Sequence, residues 1–319
     1  MELVALARNP VPSGAVVGAF ASHDTLALRY AHWGATRQPR RGTIVIFSGR
    51  GETIEKYFEV IADLRRRGFA VAIHDWRGQG GSQRLLADPH KGHVVDFADY
   101  DADVVRFMRD VVLPDCPPPY IALGHSMGGN IVLRGATSAG SWFDRMILTA
   151  PMLAFADGKV PVPHRLARLY AEVFGRGPTG QNYIWGGSPL PAEAKGFEGN
   201  ALTSDPDRFT RNRQIQEAAP ERVIGSPTIG WLRAAFRSME LVMDPEFAPR
   251  IRVPLLLVAS SQDRIVSSPA IELFSRRLKI GAHVALNGSR HEILQETDDV
   301  RQGFWAAFDA YMGSQAAPD

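Results

Sequence analysis

A single cysteine in a chain of 319 residues excludes an intramolecular disulfide and a cysteine-based zinc site. Cys116 lies in Leu113-Pro114-Asp115-Cys116-Pro117-Pro118-Pro119, which reads as a connector rather than the setting of a reactive thiol. No apolar run reaches the ~20 residues needed to span a bilayer. The first residues carry Glu2 and early prolines instead of a charged segment followed by an apolar core, which argues against a secretory signal. A cytoplasmic protein is the expectation, with peripheral contact to the inner face of a membrane left open. The formal charge is only +2 and no basic stripe stands out, so a nucleic-acid partner is not expected. The densest cationic run, Arg65-Arg66-Arg67, falls where a helix should end and would complement its dipole. Internal repeats and low-complexity tracts are also missing.

What remains is the composition of an ordinary globular protein, 45% hydrophobic and 22% charged. The length suits one large α/β domain with an insertion, or two smaller domains. Two strands joined by a turn are expected over 15–33. From about 43 to 150 buried-strand runs alternate with helical spacing. Strands at 43–47, 69–73, 120–123 and 146–149 enclose helices beginning near Tyr57, over about 96–112 with Asp96 as N-cap, and over about 127–138. This is the signature of a mostly parallel sheet flanked by helices. The rhythm breaks from 154 to 248, where helical patterns occur without strands between them. It resumes with a strand at 254–259, a helix near 268–279, a strand at 282–286 and a helix near 297–312. One sheet interrupted by a helical insertion explains this order: a core of 1–153 and 249–319, and a cap of 154–248.

Gly124-His125-Ser126-Met127-Gly128 follows the apolar run Tyr120-Ile121-Ala122-Leu123. A serine hydroxyl is a poor nucleophile, and a sharp strand-to-helix turn flanked by glycines exposes it and aims donors at an oxyanion. In a chain with 30 glycines the pentapeptide alone is weak evidence, so its context decides. Serine catalysis needs a histidine base and an acid that fixes its tautomer. In a parallel sheet such groups share the rim at the carboxyl ends of the strands. Asp263 lies just past the strand at 254–259 and His291 just past the strand at 282–286. The order Ser126, Asp263, His291 is the one expected of an α/β-hydrolase. His283 also follows Asp263 but starts a strand, at the wrong rim, and His125 is poorly placed to turn back onto its neighbour's hydroxyl. Two donors are expected for the oxyanion hole. One is the backbone N–H of Met127; the other comes from Ser48-Gly49-Arg50-Gly51-Glu52, with the Arg50 amide favoured.

These segments resemble the monoacylglycerol lipase and lysophospholipase branch of the α/β-hydrolases, over about residues 15–310. The carriers are Ser48–Glu52 with Tyr57, Asp75-Trp76-Arg77-Gly78-Gln79-Gly80, Gly124–Gly129, Asp263-Arg264-Ile265-Val266 and His291-Glu292-Ile293-Leu294. The stretch Arg84–His93 resembles the bacterial lysophospholipases in particular. Its histidines, His90 and His93, read as parts of a structured loop rather than metal ligands. Neither a metal nor a cofactor is expected. The family often has a histidine before the first glycine of the oxyanion loop, and here Ser48 stands there. Glu52 and Tyr57 are expected to steady that loop and the first helix.

The resemblance implies a serine esterase acting on single-chain glycerolipids, a lysophospholipid or monoacylglycerol, through an acyl-enzyme. Leu153, Phe155, Leu169 and Phe174 are candidates to contact a small amphipathic ester, together with Met152, Leu166 and Tyr170; the alternative is that they form the insertion's own core. A short-chain carboxylesterase or a proline-iminopeptidase-like peptidase shares the scaffold. The peptidase requires a cap acid to capture the substrate amine, and Glu172, Glu193 and Glu217 are available. A binding module without catalysis is a third reading.

Overall fold

The computed structural model describes residues 2–137, 140–158 and 163–313. Eight strands form one sheet: β1 (Val16–Ala21), β2 (Ala27–Trp33), β3 (Thr43–Phe47), β4 (Ala70–His74), β5 (Tyr120–His125), β6 (Phe143–Thr149), β7 (Leu255–Ser260) and β8 (Gly281–Leu286). Their order is β1-β2-β4-β3-β5-β6-β7-β8. β1 pairs antiparallel with β2, and β2 antiparallel with β4. Every later pairing is parallel. β3, β4 and β7 are buried along their whole length, as strands covered by helices on both faces must be.

Helices α1 (Phe58–Arg66), α2 (Ala98–Phe107) and α3 (Met127–Arg134) connect the first parallel strands. α2 continues through a π-helical turn at Met108–Val112. Asp96 lies two residues before α2 rather than at its N-cap, which is Phe97. Its carboxylate accepts the Ala98 N–H at 2.9 Å, closing the turn that leads into the helix. α3 gives way to a 3-10 turn at Gly135–Thr137; residue 138, the expected end of this helix, lies outside the described residues. Arg65 and Arg66 occupy the last turn of α1, as the dipole favours.

Between β6 and β7 the described residues form helices and no strand. The longest are α4 (His164–Phe174), α5 (Pro206–Ala218) and α6 (Ile229–Met243). α6 is largely buried and packs on α3: Arg134 donates to Ser238 Oγ at 3.1 Å, and Ser238 donates to Asn130 Oδ1 at 2.5 Å. α4 rests on α6 through the small side chains of Ala167 and Ala171, its only buried residues. Glu172 of α4 clasps Arg233 and Arg237 of α6. α5 packs elsewhere, against α1, where Arg208 and Arg211 pair with Glu59. After β7, α7 (Ser268–Ser275) ends earlier than the expected 279, and α8 (Asp298–Met312) closes the fold.

The strand order reverses direction between β3 and β5. Loops leaving these two neighbours at their carboxyl ends diverge to opposite sides, and that opening is where α/β sheets bind ligands.

Candidate active site

Ser126 stands at that opening, between β5 and α3, with φ 51° and ψ −115°. A non-glycine residue held in this region is strained, and the surroundings enforce it. The Ser126 N–H donates to Thr149 O at 3.0 Å, and its carbonyl accepts from Asn130 and Met152 at 3.1 and 3.0 Å. The flanking glycines permit the close approach. A Cβ on Gly128 would lie 2.1 Å from Phe47 O, and one on Gly124 would lie 2.8 Å from Gly129 Cα.

The acid and base expected from distant segments meet this serine. His291 Nε2 is 2.9 Å from Ser126 Oγ, and His291 Nδ1 is 2.8 Å from Asp263 Oδ2. Asp263 Oδ1 accepts the Ile265 and Val266 N–H groups at 2.7 and 3.0 Å. Burial opposes the Asp263 charge, but His291 and the two amides outweigh it and hold the carboxyl below its ordinary value. The imidazole is thereby fixed with Nδ1–H toward the carboxylate and Nε2 free to accept the serine proton. His125 turns away, its Nδ1 lying 3.1 Å from Thr149 O, and burial pushes it down to about 4. His283 sits within β8 opposite Leu257, away from the rim.

The loop after β3 is braced from both sides. Glu52 Oε2 accepts the Gly49 N–H at 2.5 Å and the Tyr57 hydroxyl at 2.6 Å, while Oε1 pairs with Lys56 at 2.9 Å. Gln79 Oε1 accepts the Gly51 N–H at 2.7 Å, and Trp76 donates to Ser48 O at 2.8 Å. The amides of Arg50 and Met127 are thus left over: neither donates a hydrogen bond among the described residues. Lys56 also meets Glu292 at 2.6 Å. Of the two buried carboxylates, Glu52 has the richer set of donors and is held low. Burial and the facing Glu52 charge push Glu292 up.

The remaining candidates divide. Met152 and Leu153 are buried in the main core. Phe155 is half-buried and meets Phe236 edge-on, with ring centroids 5.4 Å apart. Leu169 and Phe174, with Leu166 and Val173, point outward from α4 and are 48–60% exposed. They build none of the described core, because α4 buries its alanines instead. His90 and His93 fasten their loop to the segment before α6, through Val223 O at 3.1 Å and Thr228 Oγ1 at 2.9 Å. Sequence reasoning missed the support given by Gln79 and the stacking of Trp231 on Arg50, 5.0 Å from guanidinium carbon to ring centroid. Gln79 had a signal, its place in the Asp75–Gly80 motif; Trp231 had none.

Sheet order, elbow and hydrogen-bonded serine, histidine and aspartate together define an α/β-hydrolase. Residues 38–298 match the model of a family described as serine aminopeptidase, S33, and the chain belongs to that family. It is 33% identical over 292 residues to lysophospholipase L2 of Escherichia coli, covering 88% of this chain and 83% of that protein. It is 26% identical over 284 residues to a monoacylglycerol lipase of Mycolicibacterium smegmatis, covering 88% and 91%. Among solved structures, Paleococcus ferrophilus monoacylglycerol lipase superimposes with a TM-score of 0.70 at 23% identity, over 89% of this chain and 98% of that one. The matches bear out the expected class, an ester hydrolase of the lipase branch. Among the described residues no helix is long and apolar enough to cross a membrane.

Proposed function

We propose that the chain hydrolyses acyl esters of single-chain glycerolipids through an acyl-enzyme on Ser126. His291 takes the serine proton as Oγ attacks the ester carbonyl, and Asp263 stabilises the imidazolium. The oxyanion forms toward the Arg50 and Met127 amides, at the start of α3 where the helix dipole also favours negative charge. His291 then protonates the leaving alcohol, and water, deprotonated by the same histidine, releases the fatty acid. The observation that carries this reading is the chain from Ser126 Oγ through His291 to Asp263, at 2.9 and 2.8 Å, beside two unengaged amides.

Residues 154–248 are the proposed cap over a core of 1–153 and 249–319. The outward Leu166, Leu169, Val173 and Phe174 of α4, with Trp185 at 93% exposure, support contact between this cap and a lipid surface from which substrate would enter. A peptidase reading has less support: Glu172 is neutralised by Arg233 and Arg237, and Glu217 by Arg213. Glu193 is buried near Lys56. Specificity constants for lysophosphatidylcholine, monoacylglycerols, short p-nitrophenyl esters and prolyl amides test the assignment. Long-chain lipids should lead; preference for acetyl or butyryl esters, or for prolyl amides, would overturn it.

A further inference from the structure

Two buried arginines near the site, Arg29 and Arg77, are paired with carboxylates, and Arg50 is not. Arg29 meets Glu55 and Asp75 at 2.8 and 2.6 Å, and Arg77 meets Asp103 at 2.6 Å. Arg50 makes no ion pair among the described residues. Its Nη1 donates to Gly225 O at 2.9 Å, while Nε and Nη2 are buried with no acceptor. Nη2 lies against Gly92, where an added Cβ would be 3.3 Å away. The indole N–H of Trp231, on which the guanidinium stacks, is buried beside the Tyr100 hydroxyl without a well-formed hydrogen bond.

A desolvated guanidinium with unmet donors costs stability. The Gly225 hydrogen bond and the Trp231 stack compensate only in part, and no carboxylate pairs with the charge among the described residues. The unmet groups are all donors, so the missing partner is an acceptor, and the uncompensated positive charge makes it an anion. Its place follows from the chain. The guanidinium belongs to the residue whose backbone amide faces the proposed oxyanion, so it lies within one side-chain length of the reacting carbonyl. In a lysophospholipid six bonds separate the ester carbonyl carbon from phosphorus, a span of about 7 Å at extended-chain spacing.

We propose that the Arg50 guanidinium, with the indole N–H of Trp231, binds the phosphate of a glycerophospholipid head group and so favours lysophospholipids over uncharged monoacylglycerols at the same serine. The inference rests on the lipid-esterase reading above. The neutral Gly225 carbonyl gives way to anionic oxygens, which make roughly twice as strong a hydrogen bond with a cation.

The test is a ratio of specificity constants for lysophosphatidylglycerol and monoacylglycerol bearing one acyl chain. Arg50→Met should lower the lysophospholipid-to-monoacylglycerol ratio by about 10- to 100-fold, the range for hydrogen bonds to charged groups. Arg50→Lys should recover part of it. An unchanged ratio, or equal loss on both lipids, would overturn the proposal. A second measurement needs no variant: sn-glycerol 3-phosphate should inhibit wild-type hydrolysis of p-nitrophenyl butyrate at far lower concentration than glycerol does. Equal potency of the two would overturn it as well. Wild-type protein that cleaves neither lipid would refute the lipid reading, and the competition against the short ester would still decide the phosphate site.

Discussion

Replacing Gly128 by alanine sets two effects of opposite sign against each other. Gly128 is the second residue of α3 and is not among the residues with positive φ. Helix propensity alone therefore predicts a gain of about 0.8–1 kcal/mol. The structure predicts a loss. The new methyl would lie 2.1 Å from Phe47 O and 2.5 Å from Ser48 O, both backbone atoms at the end of β3. Normal contact requires the elbow and this strand end to separate by about 1 Å, and overpacking of this kind costs about 1–3 kcal/mol. The net change should be a destabilisation of about 1 kcal/mol, read as a lower urea midpoint. Activity should suffer more. The proposed oxyanion donors sit on the two sides of this contact, Met127 beside Gly128 and Arg50 two residues after Ser48. Pulling them apart removes the equivalent of one donor, about 100- to 1000-fold in kcat. Steady-state hydrolysis of p-nitrophenyl butyrate measures it, with thermal unfolding as the check on folding. A variant more stable than the parent, with kcat within a few-fold, would refute the reasoning.

Asp263→Asn should leave the fold intact but free the imidazole to adopt the wrong tautomer, lowering kcat by about 10³- to 10⁴-fold; a loss below tenfold in ester turnover would contradict this role. His74 is buried among Phe20, Phe47, Trp76 and Phe107 with both ring nitrogens unpartnered, and burial lowers it from 6.5 to about 3. The unfolded chain binds a proton that the folded chain refuses, so stability is full above pH 6.5 and falls as pH drops, by about 2 kcal/mol near pH 5 from this group. His74→Met should flatten the acid limb of urea midpoint against pH; an unaltered limb would assign acid sensitivity elsewhere. If α4 makes the proposed contact, Leu169→Glu with Phe174→Glu should weaken sedimentation with phospholipid vesicles by at least about tenfold, since burial of each such side chain stabilises by ~1.5–3 kcal/mol; unchanged sedimentation would refute that proposal.

The sheet was legible because continuous apolar runs such as Thr43–Phe47 and Leu255–Ser260 are what a strand buried on both faces requires. The meeting of Asp263 and His291 at Ser126 could be expected because parallel strands gather the loops at their carboxyl ends on one rim, whatever the sequence separation. The helical stretch before β7 was harder. The apolar face of α4 reads as inward by the usual rule for amphipathic helices, yet Leu166, Leu169 and Phe174 face outward. α4 lies on α6 through Ala167 and Ala171, whose small side chains permit close approach and carry little hydropathy signal. The direction of the Arg50 side chain was illegible for a different reason. It depends on Trp231 and Gly225, more than 170 positions along the chain, and no local pattern links them.

The central claim is that Ser126 carries the acyl group. Its most direct measurement pairs Ser126→Ala with the parent in fluorophosphonate labelling and ester turnover. The variant should take no label and should hydrolyse p-nitrophenyl butyrate several orders of magnitude more slowly, with unchanged thermal unfolding. Equal turnover by the folded variant would contradict the mechanism.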